Sequence, residues 1–355
     1  MTREEELKKV IAGIDNLNTE AMELAQKKWN SIAKPLHSLG KLEDHIIRIA
    51  GITGNAKVHL DKRALIDMCA DNGVVEEGVT QTGQEVTAIV AENFLDCATS
   101  AAIMCQSAHV DLFPIDIGMA RDTRVPDYKV AYGTKNMVKE PAMTREEALQ
   151  AILTGVQLVK EKKDAGYQIL ATGEMGIGNT TTSSAVASVL LDEPVEVMTG
   201  RGAGLDRAGL ERKIKAIKSA IKKHEPNAED AVDVLAKVGG FDLAGLTGIY
   251  LGGAYYRIPV IMDGFISAVA ALAAVQLCAQ AREYIIVSHV SKEPGMHILL
   301  EALGMEASMT CDMCLGEGTG AVAFLPVLDM ALAVYEKMST FSDINIDDYE
   351  EFGDK

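Results

Sequence analysis

The stretch GEMGIGNTTTSSAV, beginning at Gly173, follows a short apolar run and opens a helical one. Gly173, Gly176 and Gly178 permit positive φ and close backbone approach. Asn179, Thr180 and Thr181 then bring capping side chains and amide N–H groups to the start of the helix. A helix start carries N–H groups without intrahelical acceptors and the positive end of the helix dipole, so it attracts anions. The spacing GxxxxG followed by Asn-Thr matches a nucleotide-triphosphate loop except for its lysine. That lysine reaches the β- and γ-phosphates, so its absence points to a monophosphate cradle over residues 173–181. An ordinary glycine-rich turn is the simpler alternative. A second such turn, TGRGAGLD, sets Gly200, Gly202 and Gly204 before another helix, on which Lys213 lies.

The block CLGEGTGAV places Glu317 between two glycines, among Leu315 and Ala321, just before a helix. Desolvation raises a carboxylate's pKa, which suits a general base near neutrality. Composition alone leaves Glu317 evenly between that role and a simple helix-start carboxylate. SHVSKEPGMH offers Ser288, His289, Ser291, Lys292 and Glu293, with Pro294 suited to the first turn of a helix. Adjacent Ser288 and His289 are no triad by themselves.

These residues need a scaffold, and the chain alternates two kinds of segment. Five short apolar runs, ALIDMCADNG, VDLFPIDIG, YQILATGEMG, IPVIMDGF and YIIVSHVS, have the length of buried strands. Helical segments are expected near 84–108, 144–164, 179–191, 206–223 and 264–281. This alternation predicts an α/β fold with a mostly parallel sheet and helices on both faces. Ligands on such sheets bind beyond the carboxyl ends of the strands. Those ends carry Asp71, Asp116, residues 173–178, Asp263 and residues 288–291. Residues 1–30 read as an amphipathic helix or helix pair, broken by Pro35, with Ser38 or Gly40 opening the next. Residues 319–338 form a last apolar helix, and the acidic tail FSDINIDDYEEFGDK is draped on the surface or mobile. The expected division is a small helical domain from both termini, 1–60 with 320–355, and a large α/β domain, 61–319.

The 355 residues carry a net charge of −17, which repels phosphate backbones and excludes nucleic acid as the expected partner. Of six cysteines, three sit in apolar helix-like runs, and Cys311 and Cys314 form a CxxC with no second ligand pair. No metal is expected. The N-terminus lacks the apolar core of a signal peptide, and no apolar run reaches the ~20 residues that span a bilayer. The expectation is a cytoplasmic protein with reduced thiols and no membrane partner. A nicotinamide-dependent dehydrogenase is disfavoured, because no GxGxxG follows the first strand.

ADNGVVEEGVTQTGQEVT, GEMGIGNTTTSSA, GRGAGLD, GGFDLAGLTG, IPVIMDGFISAVAAL, SHVSKEPG and LGEGTGA occur in one order. Together, over roughly residues 30–338, the chain resembles the nicotinate-nucleotide:dimethylbenzimidazole phosphoribosyltransferase family of cobalamin biosynthesis. The resemblance implies a Rossmann-like parallel sheet, a small helical domain and a homodimer. It implies transfer of ribose 5-phosphate from nicotinate mononucleotide to an aromatic base, with no cofactor. Glu317 is then the general base. Gly176, Gly178, Asn179, Thr180 and Thr181 hold the phosphate, supported by Gly202 and Lys213. Glu174, Asp263 and Ser291 face the nucleotide, and Thr80, Thr82, Gln84 and Leu315 the acceptor base.

The chain departs from the family pattern at several places. Thr82 and Gly83 stand where Tyr and Pro are usual, and Cys314 where Arg is usual. His37 replaces a Gly, while Asn72 and Met296 each replace a His. The changed stretch at 80–84, with the lost Arg and His positions, leaves three readings. The favoured one is a benzimidazole transferase with an adapted pocket. The others are a paralogue acting on phenol or p-cresol, as one subunit of a heterodimer, and a non-catalytic nucleotide-binding subunit.

Overall fold

The computed structural model describes residues 1–349. Five strands, β1 (Arg63–Ala70), β2 (Asp111–Gly118), β3 (Ile169–Met175), β4 (Val260–Met262) and β5 (Ile285–Val287), form one all-parallel sheet in the order β2-β1-β3-β4-β5. Each coincides with one of the apolar runs. The order changes direction at β1, with β2 on one side and β3 on the other, which opens a crevice at their carboxyl ends. In that register Asp67 pairs with Gly173, and Cys69 with Met175.

Both sheet faces are covered, as the strands' continuous burial requires. On one face Ile66 and Met68 join the helices Arg145–Asp164, Phe241–Tyr255 and Phe265–Leu277. On the other, Leu65, Ile169 and Ile261 meet Thr19–Ser31, Lys41–Thr53 and Thr319–Lys337. Trp29 and Tyr335, from opposite ends of the chain, stack with centroids 4.9 Å apart. Arg63 forks onto Asp329 at 3.0 and 2.9 Å, tying the last helix to the start of β1. The first helix, Arg3–Ala12, packs on the opposite side, against Arg145–Asp164.

The expected helices are present with local differences. The segment 84–108 is two helices, Glu85–Leu95 and Ser100–Ser107, separated by Cys97 at φ +54 and restarted by the Thr99 cap. Four helices go beyond the expected segments: Val195–Met198, Ala231–Val238, Phe241–Tyr255 and Met296–Leu303. Phe241–Tyr255 is the telling case. Residues 241–254 are all buried, so it has no polar face for a 3.6-residue pattern to reveal. It crosses Arg145–Asp164 so closely that a Cβ on Gly248 would stand 1.9 Å from the Ile152 carbonyl oxygen.

The expectation that no apolar stretch is long enough to cross a bilayer needs correcting. Glu85–Ser107 and Thr319–Lys337 pass that test by length and composition. Both pack into the fold, through residues such as Ala91, Phe94, Phe324 and Leu328. The acidic tail is described to Tyr349, whose ring lies 4.8 Å from that of Phe341; residues 350–355 lie outside the described residues.

Candidate active site

A cavity of about 380 Å³ opens at the carboxyl ends of β3 and β4 and the loops that follow β1 and β5. Its floor is the turn 176–180. Gly178 takes φ +94 and starts the helix Asn179–Leu191, whose N-terminus faces the cavity. Gly176 cannot be anything larger: a Cβ there would stand 2.7 Å from both the Ala70 carbonyl oxygen and Asp242 Oδ2.

Lys213 comes from the helix Arg207–His224 and is fully buried. Its ammonium donates to Thr180 Oγ1 at 2.8 Å and to the Gly200 carbonyl at 3.2 Å. Gly202, at φ +52, lies beside both groups. Burial pulls the Lys213 pKa down to about 8, opposed by the charge of Glu293. Among the described residues no ion pair involves Lys213. An ammonium held this way, next to a helix N-terminus, is ready for an anion.

The same cavity is lined by acids. Glu317 takes φ +57, is half-buried, and its Oε2 is enclosed without a partner. Burial raises its pKa, opposed by the Ala101 backbone N–H and reinforced by Asp263. Glu174 is pushed well above the carboxylate range by burial and then by Asp67 and Asp242. Asp263 Oδ1 accepts the N–H groups of Gly320 at 2.8 Å and Ala321 at 3.0 Å. Burial raises Asp263 while His289 opposes it. The His289 ring is 3.0 Å from Ser288 Oγ, which itself donates to the Met262 carbonyl at 2.6 Å. That assigns the ring proton to Nδ1. Burial lowers the His289 pKa, with Asp263 opposing.

Most of the residues singled out in the sequence line this one cavity: Glu317, Gly176, Gly178, Asn179, Thr180 and Gly202, then Glu174, Asp263, Ser291, Thr80, Thr82 and Leu315. Three do not. Thr181 lies behind the turn, fully buried, with its N–H on the Gly178 carbonyl. Lys213 reaches the cavity only through Thr180 and Gly200. Gln84 turns away, donating to the Asn72 carbonyl at 3.1 Å. The Asn179 amide also points inward, donating to Glu174 and, at 3.1 Å, to Asp242. Of the departures from the family pattern, Thr82 and Cys314 are on the wall, while Met296 is in the core.

Arg201 was not singled out, yet it is the one arginine or lysine on the wall among the described residues. Its setting between Gly200 and Gly202, in a turn already flagged, was the available signal. Asp67 and Asp242 also went unnoticed, because an acid inside an apolar run is not visibly part of a site until the sheet is assembled.

A helix N-terminus backed by a buried ammonium, in one cavity with enclosed carboxyls, can hold an anionic group and stabilise positive charge beside it. In agreement, a family model described as phosphoribosyltransferase matches residues 14–346. The chain is 48% identical over 343 residues to nicotinate-nucleotide–dimethylbenzimidazole phosphoribosyltransferase of Ruminiclostridium cellulolyticum, covering 96% of this chain and 97% of that one. It is 47% identical to the protein of the same name in Acetivibrio thermocellus, covering 96% and 98%. The crystal structure of CobT from Thermus thermophilus superposes with a TM-score of 0.87 at 36% identity, covering 92% of this chain and 99% of that one. The chain belongs to the nicotinate-nucleotide–dimethylbenzimidazole phosphoribosyltransferase family.

Proposed function

We propose that this enzyme transfers the 5-phosphoribosyl group of nicotinate mononucleotide to 5,6-dimethylbenzimidazole, yielding the α-riboside phosphate and nicotinate for cobamide biosynthesis. The observation that carries the reading is the enclosed Glu317 carboxyl in the same cavity as Thr180, which the buried Lys213 ammonium contacts. The 5′-phosphate sits on the helix N-terminus at 178–180, with Gly202 and Lys213 beside it. The pyridinium nitrogen takes the electron pair of its bond to C1′ and leaves as neutral ring nitrogen, without an acid. C1′ becomes oxocarbenium-like, and Asp263 and Glu317 favour that developing positive charge, while Glu174 faces the nucleotide as a hydrogen-bonding carboxyl. One ring nitrogen of the acceptor forms the new bond to C1′, and Glu317 takes the proton from the other. Ser291 lines the nucleotide side. Thr80, Thr82 and Leu315 line the acceptor side, and Gln84 supports the loop that carries Thr80 and Thr82.

Supporting a homodimer, Ile103 and Met330 are exposed on two helices that pack against each other. We place the enzyme in the cytoplasm and divide it into a helical unit, 1–60 with 320–355, and an α/β unit, 61–319. The Trp29–Tyr335 contact links the two ends of the helical unit.

The test is turnover by Glu317→Gln with both substrates. The expected result is loss of transfer by roughly 10²–10⁴-fold, the usual worth of a general base, with nucleotide binding retained by calorimetry. Near-normal turnover would remove Glu317 from the role. An acceptor screen against adenine, phenol and p-cresol, with dimethylbenzimidazole transferred fastest, tests the substrate.

A further inference from the structure

Two loops from distant parts of the chain line the cavity together. One lies after β1 and contributes residues 79–82; the other precedes the helix Arg207–His224 and contributes residues 201–203 and 205.

The first loop is fixed at its ends. Arg212 Nε donates to the Gly78 carbonyl at 3.3 Å, and Gln84 donates to the Asn72 carbonyl at 3.1 Å. Within it, Thr80 Oγ1 donates to the Thr82 carbonyl at 2.6 Å. Between the two ends, one side chain hydrogen-bonds out of the loop. Gln81 Nε2 donates to the Ala203 carbonyl at 3.3 Å and to the Gly204 carbonyl. Among the described residues, these are the only hydrogen bonds from residues 79–82 to another segment.

The second loop is shaped to receive that amide. Gly204 takes φ +95, a left-handed conformation suited to glycine, and its N–H donates back to the Gly202 carbonyl at 2.8 Å. A Cβ on Gly204 would stand 3.1 Å from Gln81 Nε2. The other end of the same turn touches the cradle. The Gly200 carbonyl accepts the Lys213 ammonium at 3.2 Å. A Cβ on Gly202 would stand 2.9 Å from Thr180 Oγ1 and 3.5 Å from Lys213 Nζ. Residues 200–204 therefore meet the Lys213–Thr180 pair at one end and Gln81 at the other.

A hydrogen bond between two loops links their freedom. A ligand that orders one loop lowers the entropy still to be lost when the other is ordered, so two ligands bind with positive coupling.

We infer that Gln81 is a positioning residue that couples the two substrate sites. Phosphate bound at 178–180 and 202 fixes the turn at 203–204, and Gln81 carries that order to Thr80 and Thr82 on the acceptor side. The link is a neutral amide, so it transmits order rather than charge. This rests on the proposed placing of the phosphate and the acceptor base.

The experiment is calorimetric binding of 5,6-dimethylbenzimidazole with and without saturating inorganic phosphate, in wild type, Gln81→Met and Gln81→Glu. Inorganic phosphate fills the cradle alone and cannot react, so its effect on the base passes through the protein. In wild type it is expected to tighten the base by roughly 3–10-fold, the net worth of one hydrogen bond. The base should tighten phosphate by the same factor. Gln81→Met fills the same space without an N–H, and Gln81→Glu turns a carboxylate toward two carbonyl oxygens. Both should lose the coupling, while phosphate alone binds Gln81→Met as it binds wild type. In turnover, Gln81→Met should raise the KM for the base with kcat little changed, the split that marks lost binding rather than a lost transition-state contact. Coupling that persists in Gln81→Met overturns the proposal. So does a wild type in which phosphate competes with nicotinate mononucleotide yet leaves the affinity for the base unaltered. Phosphate that fails to compete with the nucleotide overturns the cradle assignment, and the proposal with it.

Discussion

Asp263, at the end of β4, accepts the N–H of Gly320 at 2.8 Å, and the same oxygen accepts Ala321 at 3.0 Å. These are the first-turn donors of the helix Thr319–Lys337, immediately after Glu317 and Gly318. The Asp263 carboxylate thus holds the start of the helix that follows Glu317. The His289 ring packs on the same turn, leaving no room for a side chain at Gly320, where a Cβ would stand 2.0 Å from Cε1.

Asp263→Ala is therefore expected to lower stability by about 2–4 kcal/mol, from two charge-assisted hydrogen bonds in a buried setting. It should lower kcat by roughly 100-fold, the usual consequence of a displaced catalytic group. Asp263→Asn keeps a carbonyl acceptor and should retain most of the stability. Denaturant unfolding and steady-state kinetics check both; an unaltered kcat in Asp263→Ala would mean that Glu317 is held without it.

Lys213 is expected to show the opposite balance between function and stability. If the ammonium anchors the phosphate as proposed, kcat/KM should fall as pH rises through about 8, the free-enzyme value. Lys213→Met should raise the nucleotide KM by about 10–100-fold, the worth of a charged hydrogen bond. The sign for stability follows from the depressed pKa. The folded state holds the proton less tightly than the unfolded one, so the penalty is full below about 8 and fades toward the ordinary value of 10.5. Lys213→Met should gain about 1–3 kcal/mol at pH 7, shrinking as the pH is raised across that window. Unfolding at pH 7 and at high pH measures it, and equal gains at both would contradict a buried charged lysine.

Cys314 and Cys311 are both exposed, but only Cys314 is on the cavity wall. A bulky thiol reagent should stop transfer by filling the space next to Leu315, and the aromatic acceptor should protect against it. Cys314→Ser should be insensitive, whereas Cys311→Ser should respond like wild type. Inactivation that persists in Cys314→Ser would place the sensitive thiol elsewhere.

Where local signals were strong, they were legible in the chain. The five strands, the glycine-rich turn at 173–178 and the helix after it follow from apolar run length and glycine placement. Phe241–Tyr255 was not legible, because a helix buried on every side has no periodicity to detect. The inward turn of the Asn179 amide was equally hidden, since its partners Glu174 and Asp242 come from other elements. Thr181 reads like its neighbours Asn179 and Thr180, but one residue of helical rotation puts it behind the turn.

By itself, then, the sequence determined a parallel α/β sheet, a glycine-rich turn that opens a helix after β3 and a glycine-flanked Glu317, because each depends on residues close together in the chain. Tertiary structure alone decided which groups surround them. Arg201 joins the cavity wall, Asp263 holds the helix behind Glu317, and Asp67 meets the Glu317–Gly318 peptide across Gly173. Those relations depend on sheet register and helix docking, which bring together residues far apart in the chain, and no local pattern encodes them.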